Sequence, residues 1–279
     1  MARMTRQFLG IMQGRLVPPM EGRIQAFPRD GWEREFPNAA AAGLQSIEWI
    51  YDTYGAGANP IESEEGIARI RDLSHFHQIA IRSLCADYFM DFPFLRATDS
   101  ERTDRIAHLE WLLGQAGRIG ITRIVLPFVD NSAIRDEADS TAVIDTLERA
   151  LPAALAAGIE LHLETSLAPE DFALLLARIP NDSVKVNYDS GNSASLGYGP
   201  AEEFAAYGRR VGSVHIKDRV LHGGTKPLGE GDADLDTVFA SLRGLNYSGD
   251  FILQVARGAP GDEVEWARRN RIFVERYLV

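Results

Sequence analysis

The chain has 279 residues, of which 45% are hydrophobic and 25% charged, with 13 prolines and one cysteine. A chain of this size buries a substantial core, which excludes a disordered, collagenous or disulfide-built protein. The formal charge of −11, from 29 Lys plus Arg against 40 Asp plus Glu, repels phosphate backbones and anionic lipid, so neither nucleic acid nor a membrane surface is the expected partner.

In chain order, β-like runs are predicted at Phe8–Met12, Leu44–Ile50, Ile79–Cys85, Ile121–Pro127, Ile159–Glu164, Val184–Asp189, Val211–Lys217 and Phe251–Val255. The first is too short for the apolar part of a secretion signal, and no stretch reaches the ~20 apolar residues of a membrane span. With Cys85 as the lone cysteine, no intrachain disulfide can form, and a reducing, cytoplasmic setting is expected. Between the runs lie segments of helical period, such as Ile106, Leu109, Leu112, Leu113 and Ala116 on one face. Gly43, Gly120 and Gly158 each stand where a helix gives way to a strand, and Pro169 and Pro200 stand where helices begin.

Strand-helix alternation implies a parallel sheet, and eight such units in about 250 residues is the size of a closed (β/α)8 barrel. A doubly wound sheet normally carries a glycine-rich phosphate loop after an early strand. The nearest cluster, Gly55 and Gly57, lacks a third glycine. The expectation is a single barrel domain over residues 1–279. Four segments without strand or helix signal, 13–30, 51–60, 88–98 and 220–232, follow strand C-terminal ends, where barrels build their sites.

Polar residues interrupt the late strands. Glu164, Asp189, His215 and Gln254 fall near the ends of strands five to eight, which lie about 4.8 Å apart in a sheet. Side chains pointing inward at one level can converge on one ion. Two carboxylates, an imidazole and an amide oxygen suit Mn²⁺, Mg²⁺ or Co²⁺ at least as well as Zn²⁺; the plainer alternative is that each residue only caps its strand. Lys217 shares the face of His215, and Arg15, Arg219 and Arg257 follow strand ends, either gripping substrate oxygens or simply solvated. His162 shares the face of Glu164 as a supporting partner or a core histidine. His75 and His77 are given no function, Cys85 is expected as a small buried side chain, and Trp49 or Phe89 could form an apolar wall for a sugar face.

GIMQGRL at strand one, the glycine-led second strand with Glu48, the Glu164 and Asp189 segments, HIKDR after His215 and the loop Pro227–Asp236 together resemble the sugar phosphate isomerase/epimerase branch of the xylose isomerase-like TIM-barrel superfamily. That branch includes ketose 3-epimerases and inosose-processing enzymes. The resemblance implies a divalent metal (Mn, Mg, Co or Zn) on Glu164, Asp189 and His215, with Gln254 in the place of a second Glu. An amide can offer its carbonyl oxygen but has no titratable proton at neutral pH. Asn192 likewise stands where many relatives have a His.

The implied reaction removes a C–H proton beside the carbonyl of a sugar, sugar phosphate or cyclitol to give an enediolate, with Glu164 as base and ligand and Lys217 as the second catalytic group. Inversion needs a further group, from Asp87, Glu48, Lys217 or water. Arg15, Glu48, Asp87, Asn192, Arg219 and Arg257 are the expected substrate contacts. The alternatives are a lyase or dehydratase on a keto-sugar or keto-inositol, and a catalytically impaired carbohydrate-binding barrel. The DNA-repair endonucleases of the superfamily resemble the chain least, since they need a His-rich cluster and a basic groove. An exposed helical face could also support a homo-oligomer.

Overall fold

The computed structural model describes residues 7–278. Eight strands close a parallel barrel: β1 Leu9–Met12, β2 Ser46–Ile50, β3 Ala80–Cys85, β4 Arg123–Phe128, β5 Glu160–Thr165, β6 Val184–Asp189, β7 Val211–Ile216 and β8 Phe251–Leu253. Each pairs with its neighbours in sequence, and β8 closes onto β1. All eight overlap the runs predicted from sequence.

The connecting helices end and begin for local reasons. Gly43 and Gly158 cap theirs in the left-handed region at φ 79° and 67°, and Pro169 and Pro200 are first residues of theirs. The helix Asp99–Arg118 opens on a capping box between Thr98 and Glu101 and buries Ile106, Leu109, Leu112, Leu113 and Ala116 against the barrel. The strands are covered by helices on one side, where they are apolar, and filled on the other by side chains that include the buried polar residues Glu48, His162, Glu164, Asn187, Asp189, Ser213 and His215. No helix among the described residues is long and apolar enough to cross a membrane.

Two departures from the sequence reading shape the mouth of the barrel. Strand β7 stops at Ile216, and Asp218–Arg219 then pairs antiparallel with Thr225–Lys226, so part of the segment expected as irregular loop is a small hairpin. It is held by Asp218, whose carboxylate accepts from the backbone N–H groups of Gly229, Gly231 and Ala233. Short helical turns also form at Met20–Gly22 and Tyr88–Asp91 within the loops after β1 and β3. The β6–β7 register shifts between Val186 and Asn187, an irregularity of the kind that re-aims side chains beside a site. Beyond it, Asp189 and His215 are direct cross-strand partners.

Candidate metal centre and active site

Alternation along β5, β6 and β7 sends every second side chain into the barrel, and the inward residues are polar in layers. His162, Asn187 and Ser213 form the lower layer, with Glu164, Asp189 and His215 above them. His162 Nδ1 lies 2.7 Å from Ser213 Oγ, Ser213 donates to Asn187 Oδ1 at 2.6 Å, and Asn187 Nδ2 donates to Glu164 Oε2 at 2.8 Å. The chain of bonds fixes the carboxylate of Glu164 from beneath. Asn192 Nδ2 holds its other oxygen at 2.7 Å.

Asp189 begins the helix Ser190–Leu196, and its Oδ1 accepts from the N–H groups of Gly191 and Asn192. That capping bond commits one oxygen and leaves Oδ2 turned inward, 4.0 Å from His215 Nδ1 and 3.4 Å from Lys217 Nζ. His215 is fully buried. Its Nε2 is bonded to Glu48 Oε2 at 2.6 Å, while Nδ1 has no hydrogen-bond partner and faces Glu164 Oε2 at 3.3 Å. One ligand atom each from Glu164, Asp189 and His215 lie within 4.8 Å of one another.

This donor set fits a divalent cation. A carboxylate behind the imidazole fixes the tautomer that leaves the other nitrogen free, as in carboxylate–histidine–metal sites, and an orphaned buried nitrogen otherwise costs stability. Without a cation the charge is balanced by protons. Burial opposes ionisation of His215, yet Glu48 and Glu164 outweigh it and raise the imidazole to about 10. Burial likewise disfavours ionised Glu164, but His215, Lys217 and Asn187 hold it below the usual carboxylate range. Asp189 is pushed upward by burial and by the charge of Glu164, against the pull of Lys217.

Above the centre opens a cavity of about 320 Å³ lined by Glu164, Asp87, Asn192, Lys217, Arg219 and Gln254 among others. Lys217 Nζ donates to Asp189 Oδ2, to Asn192 Oδ1 at 3.2 Å and to Gln254 Oε1 at 3.0 Å. Arg219 donates to the same Asn192 oxygen at 2.9 Å and to the carbonyl of Gly223. Across the cavity, Asp87 accepts from Gln25 Nε2 at 2.6 Å and from the Cys85 thiol at 3.1 Å. Burial, with the charges of Asp52 and Glu164, pushes Asp87 up to about 6 against those two bonds. Cys85 is buried and its thiol is raised well above the ordinary range, first by burial.

Other expected contacts lie elsewhere. Glu48 is fully buried behind His215, so the expectation that it touches substrate is replaced by a role in holding the imidazole. Arg15 and Arg257 are turned away from the cavity lining. Arg15 donates to the carbonyls of Val255 and Ile24, and Arg257 to those of Gly14, Val17 and Ile24. Their guanidinium groups bind the loop after β1 to the end of β8 by satisfying its backbone carbonyls, that of Ile24 from both sides.

Trp49 is not a cavity wall. Its ring packs among Phe27, Trp32 and Phe36, and its Nε1–H donates to Asn59. Phe89 is buried against Phe94. The apolar lining comes from Ile24, Met90, Pro127 and Val129 instead.

Gln25 and Asn187 were not singled out from sequence. Asn187 stands two residues before Asp189 and shares its face, so alternation alone could have found it. Gln25 lies in a loop with no period. It links Arg15 and Gln254 through its Oε1 and Asp87 through its Nε2.

The family model described as xylose isomerase-like TIM barrel matches residues 36–275. Among solved structures, D-allulose 3-epimerase from Methylomonas sp. in complex with D-allulose superposes with a TM-score of 0.76 at 16% identity, over 98% of this chain and 97% of that one. The IolI protein with a bound zinc atom gives 0.77 at 16% identity, over 97% and 99%. The apo form of 3-keto-D-glucoside 4-epimerase YcjR from E. coli gives 0.72 at 17% identity, over 97% and 100%. At such identities the likeness is one of fold. No curated protein matches the chain.

Proposed function

The chain belongs to the xylose isomerase-like TIM-barrel family, and on that premise we propose that it is a divalent-metal-dependent enzyme that shifts a proton beside the carbonyl of a sugar, sugar phosphate or cyclitol. The observation that carries this reading is the convergence of Glu164, Asp189 and the partnerless Nδ1 of His215 at the floor of a polar cavity. Those three residues would hold the cation, with the amide oxygen of Gln254 as a further donor. A bound divalent ion polarises a carbonyl and offsets the negative charge that grows on its oxygen when the neighbouring C–H is broken.

The residues of the chain supply the rest. His215, Lys217 and Asn187 hold Glu164 below the usual carboxylate range, and Asn187 and Asn192 fix both of its oxygens in place, which suits it to accept a carbon-bound proton. Lys217 and Arg219 present N–H groups to substrate oxygens at the opposite side of Asn192. Ile24, Met90, Pro127 and Val129 give the apolar surface on which a sugar's C–H face rests.

Gln254 cannot titrate, and its amide is already committed to Lys217 and Gln25, which favours chemistry that needs one base: a 1,2-isomerisation, or elimination of water from a keto-sugar or keto-cyclitol. Asp87, a cavity carboxylate pushed up to about 6 by burial, is the group from which inversion would draw its second proton.

The test is product analysis with metal-loaded protein on ketoses, ketose phosphates and keto-inositols in deuterated water. Deuterium incorporation beside the carbonyl, abolished by Glu164→Gln, is expected. Retained exchange in that variant, or binding of these compounds with no exchange in the wild type, would leave a carbohydrate-binding barrel as the better reading. Loss of exchange-coupled inversion in Asp87→Asn would mark an epimerase, and a dehydrated product a lyase.

A further inference from the structure

We propose that Lys217 is a built-in competitor for the divalent cation, so that the centre takes up metal only by displacing an ammonium group it already holds. The inference rests on the metal-centre reading above and adds to it a control on loading.

The placement of Lys217 is over-determined. Its backbone is clasped by Ser190, whose Oγ accepts from Lys217 N at 3.0 Å and donates to Lys217 O at 2.7 Å. Its stem runs directly over Gly191, where a Cβ would lie 2.6 Å from Lys217 Cγ and 2.9 Å from its Cβ, so a larger residue would push the side chain out of line. The ammonium, on a side chain only 15% exposed, donates to oxygens of Asp189, Asn192 and Gln254. Two of those three belong to the set that would bind the cation.

Charge accounting points the same way. Before any metal arrives, Lys217 already sets a positive charge against Asp189 Oδ2, the oxygen that the helix cap leaves inward, and beside Glu164. A dication entering among them is repelled by a fixed ammonium at the same Asp189 oxygen, in a buried setting where screening is weak. Gln254 sharpens the competition, because a neutral amide adds no negative charge to favour the metal over the lysine. Removing the ammonium should therefore tighten metal binding, the reverse of what loss of a ligand does.

The experiment is titration calorimetry with MnCl₂ alone on the metal-stripped full chain, comparing wild type, Lys217→Met, Lys217→Gln and Glu164→Gln, with circular dichroism melts to verify folding. Lys217→Gln serves as the second variant because it keeps a donor toward Gln254. Binding at least about tenfold tighter in the Lys217 variants than in wild type, or measurable only in them, is the expected result. Equal or weaker binding in those variants, with wild type still binding, overturns the competition and leaves the metal centre standing. No binding in any chain overturns the metal centre itself, and the competition with it.

Discussion

Two clusters of charge stand around the barrel mouth: Glu164, Asp189 and His215 on β5 to β7 with Lys217 just beyond β7, and Arg15, Glu35 and Arg257 beside β1 and β8. Both hold fully buried groups, and sequence alone marks members of both as candidates for substrate or metal. In the second cluster the guanidinium N–H groups of Arg15 and Arg257 are spent on carbonyls of Gly14, Val17, Ile24 and Val255. Glu35 Oε1 accepts from the N–H groups of Gly14 and Leu16. In the first, the bonds that hold Asp189 and His215 use one atom of each and leave another turned inward, Oδ2 and Nδ1, toward Glu164. Glu35 Oε2 is also left without a partner, but among the described residues only the atoms of Glu164, Asp189 and His215 converge, so a charged residue here becomes chemistry when its leftover valence meets that of two others. Otherwise it is architecture.

The contrast breaks most sharply at the ligands. Glu164→Gln or Asp189→Asn is expected to weaken Zn²⁺ binding by roughly 100-fold or more in equilibrium dialysis, beyond the loss typical of supporting residues, whereas Glu35→Gln should leave it unchanged. Equal losses would mean the two clusters are not distinct. Arg257→Ala should do the opposite, lowering stability to urea by about 2–4 kcal/mol as the carbonyls of Gly14 and Val17 lose this donor while that of Ile24 keeps Arg15, with metal affinity preserved.

Glu48 lies between the two behaviours, since it is buried like Glu35 but serves His215. Glu48→Gln is expected to cost about 10–100-fold in metal affinity. A stability loss with no change in metal binding would move it to the architectural cluster.

The finest test is pH. Burial pushes Glu35 up to about 8, against bonds from Leu16 and Gly14, so the folded chain keeps a proton that the unfolded chain releases near the ordinary value of 4.5. The folded state then binds more protons between those values. Its stability from this group is fully present below pH 4.5 and is lost as pH rises toward 8, with a slope of up to about 1.4 kcal/mol per unit. Urea denaturation at pH 6 and 7 should show a steeper decline in wild type than in Glu35→Gln, whose remaining slope comes from other groups raised by folding, such as His215 and Asp87.

Much of this was readable in the sequence because two periods govern it. The 3.6-residue period and glycine joints located the helices, and alternation along LHLET, VNYDSGN and VHIKDR placed Glu164, Asp189, His215 and Lys217 on inward faces. Loops have no such period. Arg15 and Arg257 follow strand ends just as Arg219 does, and only the fold reveals that the first two meet bare carbonyls and the third meets Asn192. Gln25 reaches the site through a loop turn, and Trp49 turns outward from β2 into the aromatic cluster because its neighbour Glu48 takes the inward place beneath His215.

The central claim is that Glu164, Asp189 and His215 Nδ1 form a cation centre. An anomalous difference map at the zinc edge, from crystals soaked in Zn²⁺, tests it most directly. The account predicts one strong peak with an oxygen of each carboxylate and His215 Nδ1 at about 2.0–2.2 Å, and Nε2 still bonded to Glu48. No peak there, with zinc bound only at surface groups such as His75 or His77, would contradict it.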